Sequence, residues 1–298
     1  MAEGHRWRFS GWRDVFSAKP ARTATDTIAA MPSADADRAG RAASWLVRQH
    51  LARRRSRPMP PAVAPRDLAQ AYETQQAFVA LKTRVCRPVV GRKIALTTPQ
   101  MRALVGLDTP IAGCLHSAQV VRGPATVRQS GYGRLVVEFE LAFQMGRNLP
   151  LDRAPFSAES IAPAVRAVMP AFELADDRGA DYATLPSRGL ELAADNAWNE
   201  GAVLGTPVED WRAIDLSAVR GVAYVNGATV GEGRSADSMG HPLAALAWIA
   251  NHLSGHGQAL RAGDFILSGS LVTSKFPQPG DQLRFEAGAL GAVELRVA

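Results

Sequence analysis

Two cysteines in 298 residues are too few for a disulfide framework, and Cys86 and Cys114 form no C-x-x-C pair. Such sparse use points to a reducing cytoplasm. Long apolar runs are missing as well. The longest uninterrupted one, Leu243 to Ala250, has eight residues, against the roughly 20 needed to cross a bilayer, so no membrane partner is expected. The first 30 residues lack the apolar core of a secretory signal, and Glu3, Asp14 and Asp26 count against a transit peptide. Lysine is scarce, four of the 34 basic residues, which singles out each one for scrutiny. No G-x-S-x-G elbow, Walker loop or G-x-G-x-x-G sequence occurs. His252 and His256 have the i, i+4 spacing of a zinc helix, but Leu253 stands where a zincin carries glutamate, and Gly255 is expected to end the helix first.

What is present fits an ordinary globular protein, with 47% hydrophobic and 21% charged residues. The net charge of +6 is concentrated in Arg41, Arg48, Arg53, Arg54, Arg55 and Arg57, with no acidic residue among them. Without interleaved aromatics or zinc-ligand spacing, this run reads as a solvated helix face, and no nucleic-acid partner is expected.

Pattern divides the chain into an extension (1–32), a helical N-terminal part (33–88) and a β-rich domain (89–298). Ala43, Leu46, Val47 and Leu51 follow helical spacing from a Ser33 cap to about Arg57, where Pro58, Pro60 and Pro61 stop it. A second helix covers Arg66 to Leu81. Val89–Leu96 reads as a strand, and Thr98-Pro99 as a helix entry. Arg134–Met145 alternates as a strand. Ile161–Leu174 reads as a helix-to-strand passage or a strand pair interrupted by Pro170. Asn226-Gly227 between short β-prone runs signals a hairpin, His241-Pro242 opens an apolar helix, and three strands close the chain. The fold class is α+β.

The most informative segment is Val136 to Phe143. In a strand, residues i and i+2 share a face, so Glu138 and Glu140 point one way while Val137, Phe139, Leu141 and Phe143 line the other. Two adjacent carboxylates in an apolar strand repel and lose hydration. A hard divalent cation relieves both costs, since Mg²⁺, Mn²⁺ and Ca²⁺ prefer oxygen ligands. Glu173, embedded in Met169-Pro170-Ala171-Phe172-Glu173-Leu174, is the candidate third ligand. Alone, E-x-E also describes an amphipathic strand with its acids in water.

Other segments narrow the choice. Gly91-Arg92-Lys93-Ile94-Ala95-Leu96-Thr97 resembles the G-x-K-I-G-L-T strand of the 2-keto-4-pentenoate hydratase/4-oxalocrotonate decarboxylase family, within the fumarylacetoacetate hydrolase superfamily. Val137 to Phe143 resembles its E-x-E-[IL]-A-F strand, and Ala171 to Arg178 its A-x-E-[IV]-x-D-S-R segment. Ala194-Asp195-Asn196-Ala197, Gly240-His241-Pro242-Leu243, Ala262-Gly263-Asp264, Leu267-Ser268-Gly269-Ser270 and Pro279-Gly280-Asp281 follow in the family's order. The likeness runs from about Leu68 to the C-terminus.

This resemblance implies a fumarylacetoacetate-hydrolase-like domain, Mg²⁺ or Mn²⁺ on Glu138, Glu140 and Glu173, and a small 2-oxo acid chelating that metal. A hydratase adds water to the conjugated double bond, giving a 4-hydroxy-2-oxo acid; a decarboxylase releases carbon dioxide. Lys93 is the implied catalytic residue, as a carboxylate clamp or a proton carrier whose pKa burial lowers. Ser270 and Thr273, in a glycine-containing turn, are candidates for binding substrate, with Asp195 and Asn196 in support; an Asx turn is the alternative for the latter pair. Homo-oligomers are common in the family.

Departures bear on the reaction. Hydratases of the family often carry P-D-[FY]-G where this chain has Pro110-Ile111-Ala112-Gly113. Loss of the acid at Ile111 tilts towards decarboxylation, whose members resemble P-I-[FY]-G, but the aromatic is absent too. Trp198-Asn199 replaces small serines, and Asp177-Arg178 the usual Ser-Arg. Hydratase leads, decarboxylase follows, and two alternatives stay open. One is an acylpyruvate hydrolase, for which His116 is the nearest candidate base. The other is a metal-binding scaffold without catalysis.

Overall fold

Alternation of β-branched and aromatic residues drives the centre of the molecule. In the computed structural model, which describes residues 38–298 and the backbone of Arg8–Phe9, the strands are β1 (Arg8–Phe9), β2 (Val89–Ala95), β3 (Ile111–His116), β4 (Val120–Arg122), β5 (Ala125–Val127), β6 (Leu135–Met145), β7 (Val165–Asp176), β8 (Asn199–Leu204), β9 (Arg220–Val225), β10 (Ala228–Arg234), β11 (Phe265–Lys275), β12 (Gln282–Ala287) and β13 (Ala292–Val297). They form a six-stranded sheet, β1-β5-β13-β12-β9-β10, and a seven-stranded one, β3-β2-β11-β6-β7-β8-β4. The helices are α1 (Arg38–Leu51), α2 (Leu68–Cys86), α3 (Pro99–Val105), the single turn α4 (Ala158–Ile161), α5 (Gly189–Ala194) and α6 (Pro242–Gly255). Apart from the pair Arg8–Phe9, residues 1–37 lie outside the described residues, and with them the expected extension and the Ser33 cap.

The main core draws on one face of each sheet. Val137, Phe139, Leu141 and Phe143 of β6 meet Phe172 of β7 and Leu283 and Phe285 of β12, all fully or almost fully buried. Phe139 sits edge-on to Phe172 and Phe285, with ring centroids 5.5 and 5.7 Å apart. Quadrupoles favour that geometry.

Local chemistry explains several boundaries. The Asp67 side chain accepts the Gln70 N–H at 2.8 Å and caps α2. Thr98 caps α3 with Pro99 in its first turn. Asn226 and Gly227, both with positive φ, make the β9–β10 hairpin. Edge strand β3 has its outward backbone groups covered: the Tyr72 hydroxyl accepts the Ala112 N–H, Gln75 donates to the Ala112 carbonyl, and Asn196 bonds both Cys114 N and O. Such cover removes a template for unwanted strand pairing.

Three expectations are corrected. Helix α1 ends at Leu51, and Arg53 turns the chain with φ 47°; Arg55 and Ser56 then bond the carbonyls of Gly179 and Arg178. Pro170 does not interrupt β7. Its carbonyl receives the N–H of Gly205 just past the end of β8, where the ladder needs no further donor. Ser270 and Thr273 lie inside β11, not in a turn. Gly269, at φ 101°, is where β11 slips register against β6 and carries on.

Candidate metal centre

Five adjacent strands of the seven-stranded sheet, β2, β11, β6, β7 and β8, contribute side chains to one spot. Glu138 and Glu173 are direct partners across the β6–β7 ladder. Glu140 is two residues further along the same face. One carboxylate oxygen from each of the three lies within 4.8 Å of the others. Glu140 and Glu173 are fully buried, and Glu138 is half-buried, so the cluster opens to solvent on the Glu138 side.

Each acid has partners that fix its orientation. Lys93 on β2 places Nζ 3.0 Å from Glu173 Oε1. Asn199, the first residue of β8, donates to the same oxygen at 2.9 Å. The Gly269 N–H donates to Glu140 Oε2 at 2.6 Å, and Ser274 Oγ to Glu138 Oε1 at 3.0 Å. Glu140 Oε1 and Glu173 Oε2 are buried without a hydrogen-bond partner among the described residues. Two orphaned carboxylate oxygens beside a third acid form an all-oxygen donor set that fits a hard divalent cation.

Electrostatics agree with that fit. Burial raises the pKa of Glu140, and the carboxylates of Glu173 and Glu138 raise it further. Glu173 is also raised, by burial against the opposing charge of Lys93. For Lys93 the expected lowering is reversed. Burial does oppose its charge, but Glu173, Glu138 and Glu140 outweigh it and hold the ammonium form.

Aromatic rings stand at the open side. Trp198 immediately precedes Asn199, and Phe276 lies two residues beyond Ser274. The Tyr182 ring sits edge-on to both, at 6.4 Å from Trp198 and 6.3 Å from Phe276. Arg134 stacks over Tyr182 and Phe276, its charge paired with Asp177.

Ile111 and Trp198, the departures noted in the sequence, meet in one apolar cluster. Ile111 is fully buried there with Leu96, Val105, Leu185 and Ala197. His116 is buried against α2, within 3.3 Å of Thr83 Oγ1, and burial, then Lys82, lowers its pKa to about 4.

Asp195 and Asn196 have partners of their own. Asp195 Oδ1 lies 2.6 Å from His50 Nε2, and Asp195 Oδ2 accepts Arg178 Nη2 at 2.6 Å. His50 Nδ1 lies 3.2 Å from Glu200 Oε1, and Glu200 Oε2 is 3.0 Å from Lys82 Nζ. His50 thereby bridges both ends of the segment 195–200. Burial and Arg178 oppose charge on His50, yet Asp195 and Glu200 outweigh them and raise its pKa. Burial opposes ionisation of Glu200, but Lys82 and His50 hold its pKa well down. Within this segment Asn196, Ala197 and Trp198 all have positive φ (53°, 47° and 61°), a strained run that persists only where its surroundings enforce it. Sequence reading singled out Asp195 without its network partners His50, Lys82 and Glu200, and noted Asn199 only as a departure from the family pattern. The one available signal for those partners was the polarity of His50, Lys82 and Glu200 at buried helical and strand positions.

Comparison with known proteins gives the family. Residues 100–298 match the family model described as fumarylacetoacetate (FAA) hydrolase C-terminal. The 2-keto-4-pentenoate hydratase of Paraburkholderia xenovorans (strain LB400) is 32% identical over 227 residues, 76% of this chain and 82% of the relative. The chain belongs to the 2-keto-4-pentenoate hydratase/4-oxalocrotonate decarboxylase family of the fumarylacetoacetate hydrolase superfamily. Within this family, the 4-oxalocrotonate decarboxylase of Pseudomonas putida is 29% identical, covering 76% of this chain and 84% of the relative. The solved 4-oxalocrotonate decarboxylase from Pseudomonas putida G7, complexed with magnesium and adipate, shares the fold. Its TM-score is 0.80 at 24% identity, covering 90% of this chain and all of that one.

Proposed function

We propose that this chain is a divalent-metal-dependent lyase acting on a small unsaturated 2-oxo acid, first as a hydratase of the 2-hydroxypenta-2,4-dienoate type. The observation that carries this reading is the cluster of Glu138, Glu140 and Glu173 with two buried, unpartnered oxygens. These three acids are the ligand set for Mg²⁺ or Mn²⁺. When bound, the cation supplies Lewis acidity opposite the 2-oxo group, where negative charge gathers as the dienol ketonises or carbon dioxide leaves.

The chain's own groups do the rest. Lys93, held as an ammonium beside Glu173, donates to the substrate's carboxylate or 2-oxygen and steadies its charge. Asn199 and Gly269 keep Glu173 and Glu140 aimed inward. The Ser270 hydroxyl accepts the Phe139 N–H and donates to the Val272 carbonyl, which fixes the bulge of β11. Thr273, exposed on that strand, is the hydroxyl left for substrate, while Asp195 and Asn196 hold the frame of the 195–200 turn. Tyr182, Trp198 and Phe276 face the far end of the substrate.

One observation favours the second reading, decarboxylation. Full burial of Ile111 among apolar side chains leaves no acid at the position where family hydratases carry one. Freshly generated 2-hydroxypenta-2,4-dienoate and the 4-oxalocrotonate dienol, each with Mg²⁺ and then with EDTA, separate the readings. A 4-hydroxy-2-oxo acid indicates hydration, and carbon dioxide indicates decarboxylation. Turnover indifferent to EDTA would overturn the metal assignment, and no turnover despite Mg²⁺ binding would point to a scaffold.

A further inference from the structure

Lys93 and Arg92 are neighbours on β2 and point to opposite faces. Lys93 joins the glutamates; Arg92 lines a cavity of about 330 Å³ between α2, α6, β2 and β3. Size alone puts it in the range of small-molecule sites. Its lining is unusual in charge: Arg92, His252, His256, three glutamines, Tyr72 and Cys114 contribute polar groups, and among the described residues no acid does. Arg92 bonds the Gly91 carbonyl and Gln258 Oε1, and has no carboxylate partner among the described residues. Part of the wall is apolar: the Tyr72 and His252 rings touch, with centroids 4.6 Å apart, and Val79, Ala80, Val89 and Leu253 also line the space.

Small residues line one side of the space. Ala112 lines it, at the position where the family motif quoted above carries phenylalanine or tyrosine. Gly113, the next residue, also lines the cavity and touches Lys93: a Cβ there would lie 3.0 Å from Lys93 Cγ. A ligand here would therefore press on the strand behind the catalytic lysine.

We propose that this cavity is a second binding site, separate from the glutamates, for a small planar monocarboxylate whose carboxylate pairs with Arg92 and whose body packs against the touching rings of Tyr72 and His252. The charge balance supports an anion over a cation or a neutral ligand, because a guanidinium with no carboxylate partner among the described residues gains most from a negative charge. His252 reports on it. Burial, then His256 and Arg92, lowers its pKa to about 4. The groups facing it are Tyr72 from α2, Arg92 from β2 and His256 from its own helix, and none is acidic.

Benzoate is the probe, with benzamide as its neutral isostere. Titration calorimetry on the full chain should show benzoate binding at least about tenfold tighter than benzamide. Arg92→Gln should abolish that difference, and Ala112→Phe should remove binding by filling the space, while Glu173→Gln should leave it unchanged. By NMR, saturating benzoate should raise the His252 pKa by about one unit, a readout that stands even where Ala112→Phe fails to fold. The proposal is overturned by no binding at millimolar benzoate, by equal binding of benzamide, by binding indifferent to Arg92→Gln, or by loss with Glu173→Gln, which would place the probe at the glutamates.

Discussion

Glu138 and Glu173 face each other directly across the β6–β7 ladder, a like-charge pair in the middle of a sheet. Opposed like charges destabilise a ladder, and Glu140 adds a third acid to the same spot. A divalent cation should therefore act on stability as well as on chemistry. At a hundredfold excess over its Kd, Mg²⁺ should stabilise the protein by about 2.7 kcal/mol. Glu140→Gln or Glu173→Gln should remove most of that gain, read as the change in Tm on adding Mg²⁺.

The same acids set a pH dependence. Glu140 and Glu173 have folded pKa values above the ordinary 4.5. A carboxyl raised on folding binds its proton more tightly in the native state. Its contribution is present below the unfolded pKa and is lost as pH rises through the folded value. Protein in EDTA should accordingly lose stability from about pH 4.5 upwards through that window, and Mg²⁺ should compensate more at neutral than at acid pH. Melting curves at both pH values check this; a metal effect that shrinks with rising pH would contradict the assignment.

Lys93→Met should lower kcat/KM by at least about 10²-fold, the usual scale for a group acting in the transition state, while Mg²⁺ still binds. Lys93→Arg should not rescue activity. A planar guanidinium does not reproduce the compact point charge that the ammonium sets beside Glu173. Steady-state kinetics beside metal titration separates these effects.

Restoring an acid at Ile111 should fail. Ile111→Asp places a carboxyl in a fully buried apolar cluster, and a loss of about 3 kcal/mol or more is expected from burying it. Ile111→Val, which removes one methyl, should cost only about 1 kcal/mol. Urea unfolding measures both, and a stable, more active Ile111→Asp protein would show that the cluster opens.

Trp198→Ser removes one ring of the aromatic arc beside Asn199. KM for substrates with a bulky far end should rise about tenfold, the worth of roughly one aromatic contact. Metal affinity should hold, because the Asn199 side chain still reaches Glu173.

Much of this site was legible because it is local. Glu138 and Glu140 share a face by the geometry of a strand, and the apolar setting of Glu173 marked it as costly to bury. Thr98-Pro99 and Asn226-Gly227 announced their turns for similar reasons, since capping and positive φ depend on a few adjacent residues. Contacts between distant residues left no such trace. His50 and Asp195 are 145 positions apart, and nothing near either one specifies the other. Pro170 misled because a proline's cost in a strand depends on whether a neighbour needs its N–H, which sequence alone does not say. The same holds for Ser270, whose place in a strand rests on the slip at Gly269.

The helices at the N-terminal end hold more than their own packing. His50 of α1 and Lys82 of α2 supply positive charge to Asp195 and Glu200 at the two ends of a strained turn. A fragment beginning at residue 87 would keep those acids but lose two of their counter-ions, leaving buried charge that costs several kcal/mol per group. The helical pair and the sheet are thus expected to melt in one transition. A graft of the sheet onto other helices would need to bring its own cations.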